Sequence, residues 1–337
     1  MKYFRYILIL ISINSIYGCE DIFIKSENDA DNFADFETAW QNIGAVYPYF
    51  DIKGINWNQI YREYSSKAEN AKGDEILTVL VDLISELKDQ HPYIKFEGGR
   101  QATIYHSPRY NRDRDLFDPV VIIKYFDKEY NMAGGGYIEY QILPDDIGYM
   151  NISSFSPENL VKDFRSVLDY FTDTKGIIID VRHNMGGSAA NSNKILSYFV
   201  TSEFPVPVAY RNKEIVPQDS IQPKGYGFSK SIVVLIDGVS YSEAERFAEM
   251  MRQLSNVTLV GDTTGGGSAG SRGTVDEIIL PDGKIVHVGT TDFRRYDGRP
   301  WEWIGIEPDI RVVNTIENLS KGIDNQLEYA IDLLKQD

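Results

Sequence analysis

The chain has 337 residues, a formal net charge of −16 at pH 7 and a single cysteine. Its length allows one large domain with a smaller one, and its composition is that of a globular protein. The acidic balance argues against nucleic acid as a partner, and one cysteine excludes internal disulfides and any metal site built from several cysteines.

Residues 1–18 have the pattern of an export signal. Lys2 and Arg5 precede an apolar run too short to span a membrane, and the stretch leads directly into Cys19. It resembles a bacterial lipoprotein signal, which implies cleavage before Cys19, lipidation of that cysteine, and anchoring to the bacterial cell envelope at the outer membrane. An ordinary signal peptide with a chance cysteine is the alternative. Residues 19–30 are polar and acidic, which predicts a flexible tether.

A small helical domain is predicted over residues 31–92, because apolar residues recur there at intervals of three and four. Its clearest helix runs from about Asp74 to the segment Asp89–Pro92. The helix is expected to end there because the residue before a proline is pushed out of the α region.

Residues 93–136 are predicted to connect this domain to an α/β domain at 137–337. In the connecting segment, Tyr93–Phe96 and Val120–Tyr125 predict strands. In the larger domain strands and helices alternate, and the apolar run Gly176–Arg182 is typical of a strand covered on both faces. Such a core gathers its loops at the carboxyl ends of the strands, where sites usually form. Further predicted elements are strands at 137–142, 147–152 and 257–260, and helices at 157–172 and 189–199.

The segment Ser231–Leu254 predicts a buried strand that turns sharply into a helix, with Ser240 and Ser242 in the turn. A hydroxyl at a helix N-terminus lies among unpaired backbone N–H groups, which suits a nucleophile. The same pattern is also a capping box, either Ser242 with Glu245 or Ser240 with Glu243, in which the serine only closes the first turn. A nucleophile therefore also requires a base, an oxyanion site and a group that orients the base.

Four histidines are available as the base. His106 and His287 have positions typical of surface residues. His183 follows a predicted strand and stays a candidate base. His91 ends the clearest predicted helix, where it is either the base or a cation favoured by the helix dipole.

The segment Asn184–Gly187 predicts a second strand-to-helix turn. Its glycines, Gly186 and Gly187, let backbone N–H groups approach an oxyanion closely, although a plain tight turn is the alternative. The N–H of Glu243, directly after Ser242, would be the second donor.

Five blocks of the sequence also occur in a recognisable order: Leu87–His91, Ile179–Gly187, Ser242–Glu245, Val260–Gly267 and Glu302–Asp309. With them the chain resembles the serine peptidases related to C-terminal processing peptidases and to the tricorn core. The helical stretch from Phe33 to Tyr64 is similar to the N-terminal unit of tricorn-type members. This resemblance implies an α/β fold with a ClpP/crotonase-like catalytic core and a small N-terminal helical domain.

The resemblance implies Ser242 as the nucleophile, because the family serine stands three residues before the glutamate matched by Glu245. Processing peptidases have a lysine base where this chain has Gly267, so a serine–lysine dyad is not expected. Tricorn-type members use the histidine matched by His91, oriented through a chain that includes the glutamate matched by Glu302. A tricorn-like Ser-His-Glu peptidase is therefore expected. It would have no PDZ module, since the interval before the catalytic strands is too short for one.

Two departures from the family pattern are present. Pro92 follows the histidine where a small hydroxyl residue is common. Met185 replaces a glycine of the oxyanion loop, so the choice between Gly186 and Gly187 as the donor stays open.

The expected function is hydrolysis of peptide bonds in exported proteins or peptides through an acyl-enzyme, with no metal, nucleotide or other cofactor. The expected partners are an unfolded protein or peptide and, through the N-terminal lipid, the membrane. One alternative is a catalytically inactive, lipid-anchored protein of the same fold that binds a peptide or lipid, as the resemblance to retinoid-binding relatives allows. An esterase also stays possible.

Overall fold

The structure is a computed structural model that describes residues 27–126, 129–270 and 277–336. The predicted export signal and Cys19 lie outside these residues. Helix α1 begins at Glu27, inside the predicted tether at 19–30. Four helices open the described chain: α1 (Glu27–Val46), α2 (Phe50–Lys53), α3 (Trp57–Asn70) and α4 (Glu75–Ser85). We call α1 to α4 the helical unit.

Helix α4 ends at Ser85, earlier than the predicted end at Asp89–Pro92. Lys88 adopts a left-handed φ of 50°, which a helix cannot continue through. After it, the Asp89 carboxylate accepts a hydrogen bond from the backbone N–H of His91 at 2.9 Å and forms a local turn. His91 therefore lies in the link after the helix, too far from its end for the helix dipole to act on it.

The connecting segment contains β1 (Tyr93–Phe96), β2 (Gly99–Ala102), α5 (Pro108–Asp113) and α6 (Pro119–Ile123). The strand predicted at Val120–Tyr125 is wrong, since most of this run lies in α6. The Asp118 side chain caps the helix by accepting from the Val120 N–H at 2.8 Å, and Pro119 occupies the first turn. These two start signals outweigh the β propensity of the branched residues.

The α/β domain contains the remaining elements. In chain order they are β3 (Asn131–Ala133), β4 (Ile138–Leu143), β5 (Ile147–Ile152), α7 (Phe164–Tyr170), β6 (Gly176–Asp180), α8 (Ala189–Leu196), β7 (Ala209–Arg211), β8 (Glu214–Val216), β9 (Ser231–Ile236), α9 (Glu243–Met251), β10 (Val257–Gly261), β11 (Ala269–Gly270), β12 (Glu277–Ile279), β13 (Ile285–His287), β14 (Thr291–Phe293), β15 (Ile310–Arg311), α10 (Ile316–Ser320) and α11 (Asn325–Lys335). Helix α7 is shorter than the helix predicted at 157–172, because Asp163 has a left-handed φ of 63° just before it.

A seven-stranded sheet in the order β15-β10-β9-β6-β5-β4-β3 forms the centre, and the strands from β15 to β5 are parallel. Alternate residues of β6 are buried on opposite faces. Ile177 and Ile179 pack in one core with Phe247 of α9, whereas Ile178 packs in another with Leu327 of α11. This two-sided burial explains the continuous apolar runs, and it brings the loops after β6 and β9 together at one sheet edge.

Two four-stranded sheets complete the described fold, in the orders β12-β13-β1-β2 and β11-β14-β7-β8. The first packs against the helical unit, with Ile94 and Val286 in one core with Phe36 and Leu80. In the described part of the chain, none of the helices has the length and apolar character needed to cross a membrane. The predicted α/β fold with a small N-terminal helical region is confirmed.

Candidate active site

The turn between β9 and α9 separates the two candidate serines. Ser240 is fully buried, and its hydroxyl donates to the Val181 carbonyl at 2.8 Å, so it connects two loops. Ser242 stands directly before α9 with φ 56° and ψ −120°, a conformation that non-glycine residues rarely adopt. It lines a cavity of about 550 Å³. The geometry therefore presents Ser242, and not Ser240, to a ligand.

Glu245 anchors this strained turn to the loop after β10. Its carboxylate accepts from the backbone N–H groups of Ser242 at 3.0 Å, Gly266 at 2.8 Å and Gly267 at 2.8 Å, and from the Thr264 hydroxyl at 2.5 Å. Burial raises the pKa of Glu245 to about 7, although these donors lower it. Ser242 can therefore close the first turn of the helix and also line the cavity, because Glu245 binds the backbone N–H of the serine.

The turns at Asn184–Gly187 and at Ser242 are in close contact. A Cβ atom at position 186 would lie 2.8 Å from the Ser242 Cβ, so a glycine is needed there. The Gly186 N–H already donates to the Asn184 side chain at 2.8 Å. Neither the Gly187 N–H nor the Glu243 N–H donates a hydrogen bond to any described group. Of the two glycines, Gly187 therefore has the available donor.

His91 lines the same cavity as Ser242, and its side chain is 19% exposed. Its Nδ1 is 2.8 Å from Asp89 Oδ1, and its buried Nε2 has no hydrogen-bond partner among the described residues. Because a carboxylate can only accept, this contact assigns the proton to Nδ1 and leaves Nε2 as the basic atom. Burial lowers the pKa of His91, but the Asp89 charge and hydrogen bond raise it by more, so the net shift is upward.

Tyr241 contacts both Asp89 and His91. Its hydroxyl donates to Asp89 Oδ1 at 3.1 Å, and its ring centroid is 4.8 Å from that of His91. A Cβ atom at position 267 would overlap the Tyr241 ring. The position at which the resemblance would have placed a lysine base is therefore sterically closed to any side chain.

Glu302 does not contact His91 directly. It is fully buried, forms an ion pair with Lys53 at 2.5 Å and accepts from the Ser268 N–H at 2.5 Å. Lys53 also lies 3.9 Å from the second oxygen of Asp89. The path from Glu302 to the imidazole thus runs through Lys53 and Asp89.

The other histidines have different surroundings. His183 Nε2 lies 3.4 Å from Asp237, its ring packs on Phe117, and it does not line the cavity. His106 is exposed and stacks on Tyr110. His287 was expected at the surface, but it is only 8% exposed because β13 pairs with strands on both sides.

The cavity wall opposite His91 combines apolar surface with one buried ion pair. Arg246 lies 2.7 Å from the Glu243 carboxylate, one turn along α9 from the serine. Phe293 and Trp301 provide aromatic faces, and Met185, in the Asn184–Gly187 turn, is 45% exposed. The cavity that Ser242 and His91 line therefore also presents apolar surface to a ligand.

The chain is similar in sequence to known peptidases. Residues 146–312 match the model of Peptidase family S41, and residues 29–86 match the Tricorn protease C1 domain. The carboxy-terminal processing protease CtpB of Bacillus subtilis is 26% identical over 293 residues, which are 84% of this chain and 58% of that protein. The chain therefore spans less than two thirds of this relative. These matches support a peptidase, that is, a hydrolase.

Solved structures share the fold. A crystal structure from Parabacteroides merdae, provisionally assigned as a peptidase, is 27% identical with a TM-score of 0.77, and the match covers 92% of this chain and 97% of that one. The structure of mature CPAF complexed with lactacystin has a TM-score of 0.66 at 14% identity, covering 92% and 98%. The second likeness shows the fold alone.

Sequence reasoning missed three residues around His91. Asp89 stands in the same sequence block two positions earlier, so the spacing Asp-x-His was an available signal. Tyr241 precedes the serine, but nothing in the sequence indicates that its ring turns towards His91. Lys53 carried no signal, because its role depends on a contact with Asp89 across 36 positions of the chain.

Proposed function

We propose that this protein is a serine-type peptidase that cleaves exported proteins or peptides through an acyl-enzyme. The observation that supports this most directly is that Ser242 and His91 line the same cavity. The serine stands in a strained turn at a helix N-terminus, the histidine has a basic Nε2 without a partner, and both line one cavity. A nucleophile beside an oriented base is the arrangement that activates a hydroxyl.

In the proposed reaction the Ser242 Oγ attacks the carbonyl carbon of the scissile peptide, and its proton passes to His91 Nε2. The N–H groups of Gly187 and Glu243 then donate to the oxyanion, which stabilises charge that develops only in the transition state. The imidazolium then donates this proton to the leaving amine. In the second half of the reaction His91 takes a proton from water, the water oxygen attacks the ester carbonyl, and Ser242 regains a proton as the acid product leaves.

Two carboxylates share the orienting role in this proposal. Asp89 accepts the Nδ1 proton of His91 directly, at 2.8 Å, and stabilises the imidazolium. Glu302 acts one step away through its 2.5 Å ion pair with Lys53. The expected Ser-His-Glu arrangement thus becomes a longer chain in which an aspartate stands next to the imidazole.

The experiment uses purified protein without residues 1–18. A fluorophosphonate probe should label the wild type at Ser242, and an unfolded protein substrate should be cleaved. Ser242→Ala should abolish both, whereas Ser240→Ala should keep labelling in molecules that stay folded. Labelling without peptide cleavage, together with cleavage of simple esters, would favour the esterase. An unlabelled wild type would favour the binding protein.

We further propose that the mature chain is exported and anchored at the outer membrane by a lipid on Cys19. The support is the sequence alone, in which Lys2 and Arg5 precede the apolar run that leads to this cysteine. Full-length protein should partition with membranes, and Cys19→Ser should move it to the soluble fraction. Equal partitioning of both proteins would contradict the anchor.

A further inference from the structure

Lys53 is a fully buried lysine whose ammonium lies among oxygen atoms. It is the last residue of α2, its side chain is 0% exposed, and its Nζ lies 2.5 Å from Glu302 Oε1 and 2.6 Å from the Tyr47 hydroxyl. The carbonyls of Leu87 and Lys88 accept at 3.1 Å and 3.0 Å. An ammonium has three N–H donors, so every donor has an acceptor available.

The ammonium lies behind Asp89 as seen from the histidine. Asp89 Oδ1 contacts His91, whereas Oδ2 accepts from the Tyr47 hydroxyl at 3.0 Å and lies 3.9 Å from Lys53. Asp89 is fully buried. Burial raises the pKa of Asp89, but Lys53 and His91 lower it by more, so it stays ionised.

Lys53 contacts both carboxylates of this cluster. Asp89 and Glu302 are both buried, and two bare carboxylates so close together would oppose each other's ionisation. The Lys53 ammonium lies 2.5 Å from Glu302 and 3.9 Å from Asp89, and its charge favours the ionised form of both.

Lys53 cannot act as the base itself. It does not line the cavity that contains Ser242, and the Asp89 carboxylate stands between its ammonium and the imidazole. Its effect on the reaction must therefore pass through other residues.

We infer that Lys53 is a positioning residue: it holds two buried carboxylates in one cluster, and that cluster fixes the imidazole of His91. The inference rests on the proposed serine-peptidase function. It assigns the helical unit a part in the active site, because α2 supplies an ammonium that contacts Glu302 of the α/β domain and Asp89 of the link after α4.

The test compares Lys53→Met with Lys284→Met in the mature chain. Lys284 is a matched control, since its Nζ lies 3.5 Å from Asp35 of α1 and also joins the helical unit to the rest of the protein. The readout is the rate of Ser242 labelling by a fluorophosphonate, separated into probe affinity and the chemical step. We expect Lys53→Met to slow the chemical step about 10²-fold with unchanged affinity, and Lys284→Met to change neither.

A spectroscopic measurement separates positioning from general damage. In the wild type, the ¹⁵N NMR signals of the His91 ring should report the Nδ1–H tautomer. In Lys53→Met they should report a mixture of tautomers, while the signals of His287 stay the same. A wild-type tautomer together with a wild-type labelling rate in Lys53→Met would overturn the inference.

A double variant keeps the inference testable if Lys53→Met folds poorly. Lys53→Met with Glu302→Gln removes one charge of each sign, so that Asp89 no longer lies near a second buried carboxylate that has lost its ammonium. It should therefore label faster than Lys53→Met alone. Additive effects of the two substitutions would contradict the inference. An unlabelled wild type would overturn the proposed function instead, so the two failures are distinguishable.

Discussion

Two buried cations in this molecule are each placed between two buried carboxylates, but they are used differently. Arg182 at the end of β6 is 1% exposed. Its guanidinium donates to both oxygens of Asp180, at 2.6 to 3.1 Å, and to both oxygens of Asp324, at 2.8 and 2.9 Å. Asp324 is also the N-cap of α11. The cluster therefore fastens α11 to the central sheet.

The Lys53 ammonium is in close contact with only one of its two carboxylates. The ammonium contacts Glu302 closely, whereas Asp89 is 3.9 Å away and uses its other oxygen for His91. A planar guanidinium satisfies two carboxylates at once, but a compact ammonium leaves one of them able to bind a third group. The comparison supports a role in the fold for the first cluster and a role in the proposed active site for the second.

The largest effect is expected from Asp89→Asn. An amide cannot replace the carboxylate that accepts the Nδ1 proton and stabilises the imidazolium, so kcat/KM should fall by about 10³- to 10⁴-fold, or about 4–5.5 kcal/mol. Because the Asp89 carboxylate raises the pKa of His91, its loss should lower that pKa. The base is active when deprotonated, so the rise of activity with pH should move to lower pH. Rates measured from pH 5 to 9 check this, and an unchanged midpoint would refute the direct role of Asp89.

Arg182→Met should affect stability more than activity. It leaves two buried carboxylates without their cation, which should lower the free energy of unfolding by about 3–5 kcal/mol. Chemical denaturation measures this loss. The pH midpoint of the remaining folded molecules should match that of the wild type. A shifted midpoint would mean that the two clusters are coupled.

Tyr241→Phe tests the contacts around Asp89 more gently. The substitution removes the hydroxyl that donates to Asp89 at 3.1 Å and leaves the Gln90 N–H without its acceptor at 3.2 Å. We expect a loss of about 1–2 kcal/mol, divided between thermal stability and the labelling rate of Ser242. If the melting temperature falls while the labelling rate does not, Tyr241 belongs with the structural contacts.

Ser242→Gly should show the smallest effect on stability, with the opposite sign. Glycine tolerates the φ of 56° that serine adopts with strain, so the free energy of unfolding should rise by about 1 kcal/mol while labelling is lost. Ser242→Ala is the matched control, because it loses the hydroxyl but keeps the Cβ atom. Equal unfolding curves for the two variants would mean that the turn is not strained.

Short sequence patterns predicted those parts of the site whose residues are close together in the chain. The buried strand, the turn and the helix around Ser242 follow from residues within a single segment, as do the glycines of the neighbouring turn. The end of α4 was not predictable from apolar spacing, because it depends on the left-handed backbone of Lys88. The strand predicted at Val120–Tyr125 failed because Asp118 and Pro119 start a helix there.

The side-chain contacts that complete the site could not be predicted from short sequence patterns. His91 was identified by its sequence block, but its hydrogen-bond partner was not, since Asp89 acts through a turn that the predicted helix would have excluded. The ion pair of Glu302 with Lys53 joins residues 249 positions apart, so no local signal marks it. The resemblance supplied Glu302 as a residue, but not the lysine with which it forms an ion pair.

The overlap between position 267 and the Tyr241 ring has a consequence for how such a site can change over generations. A lysine at 267 cannot be accommodated while the tyrosine stays, and loss of the tyrosine first removes a donor from Asp89. Each single step therefore damages the existing base before a new one is in place. A change from the proposed histidine base to a lysine at position 267 therefore needs substitutions at both 267 and 241. The intermediate with only one of them would hold neither base in place.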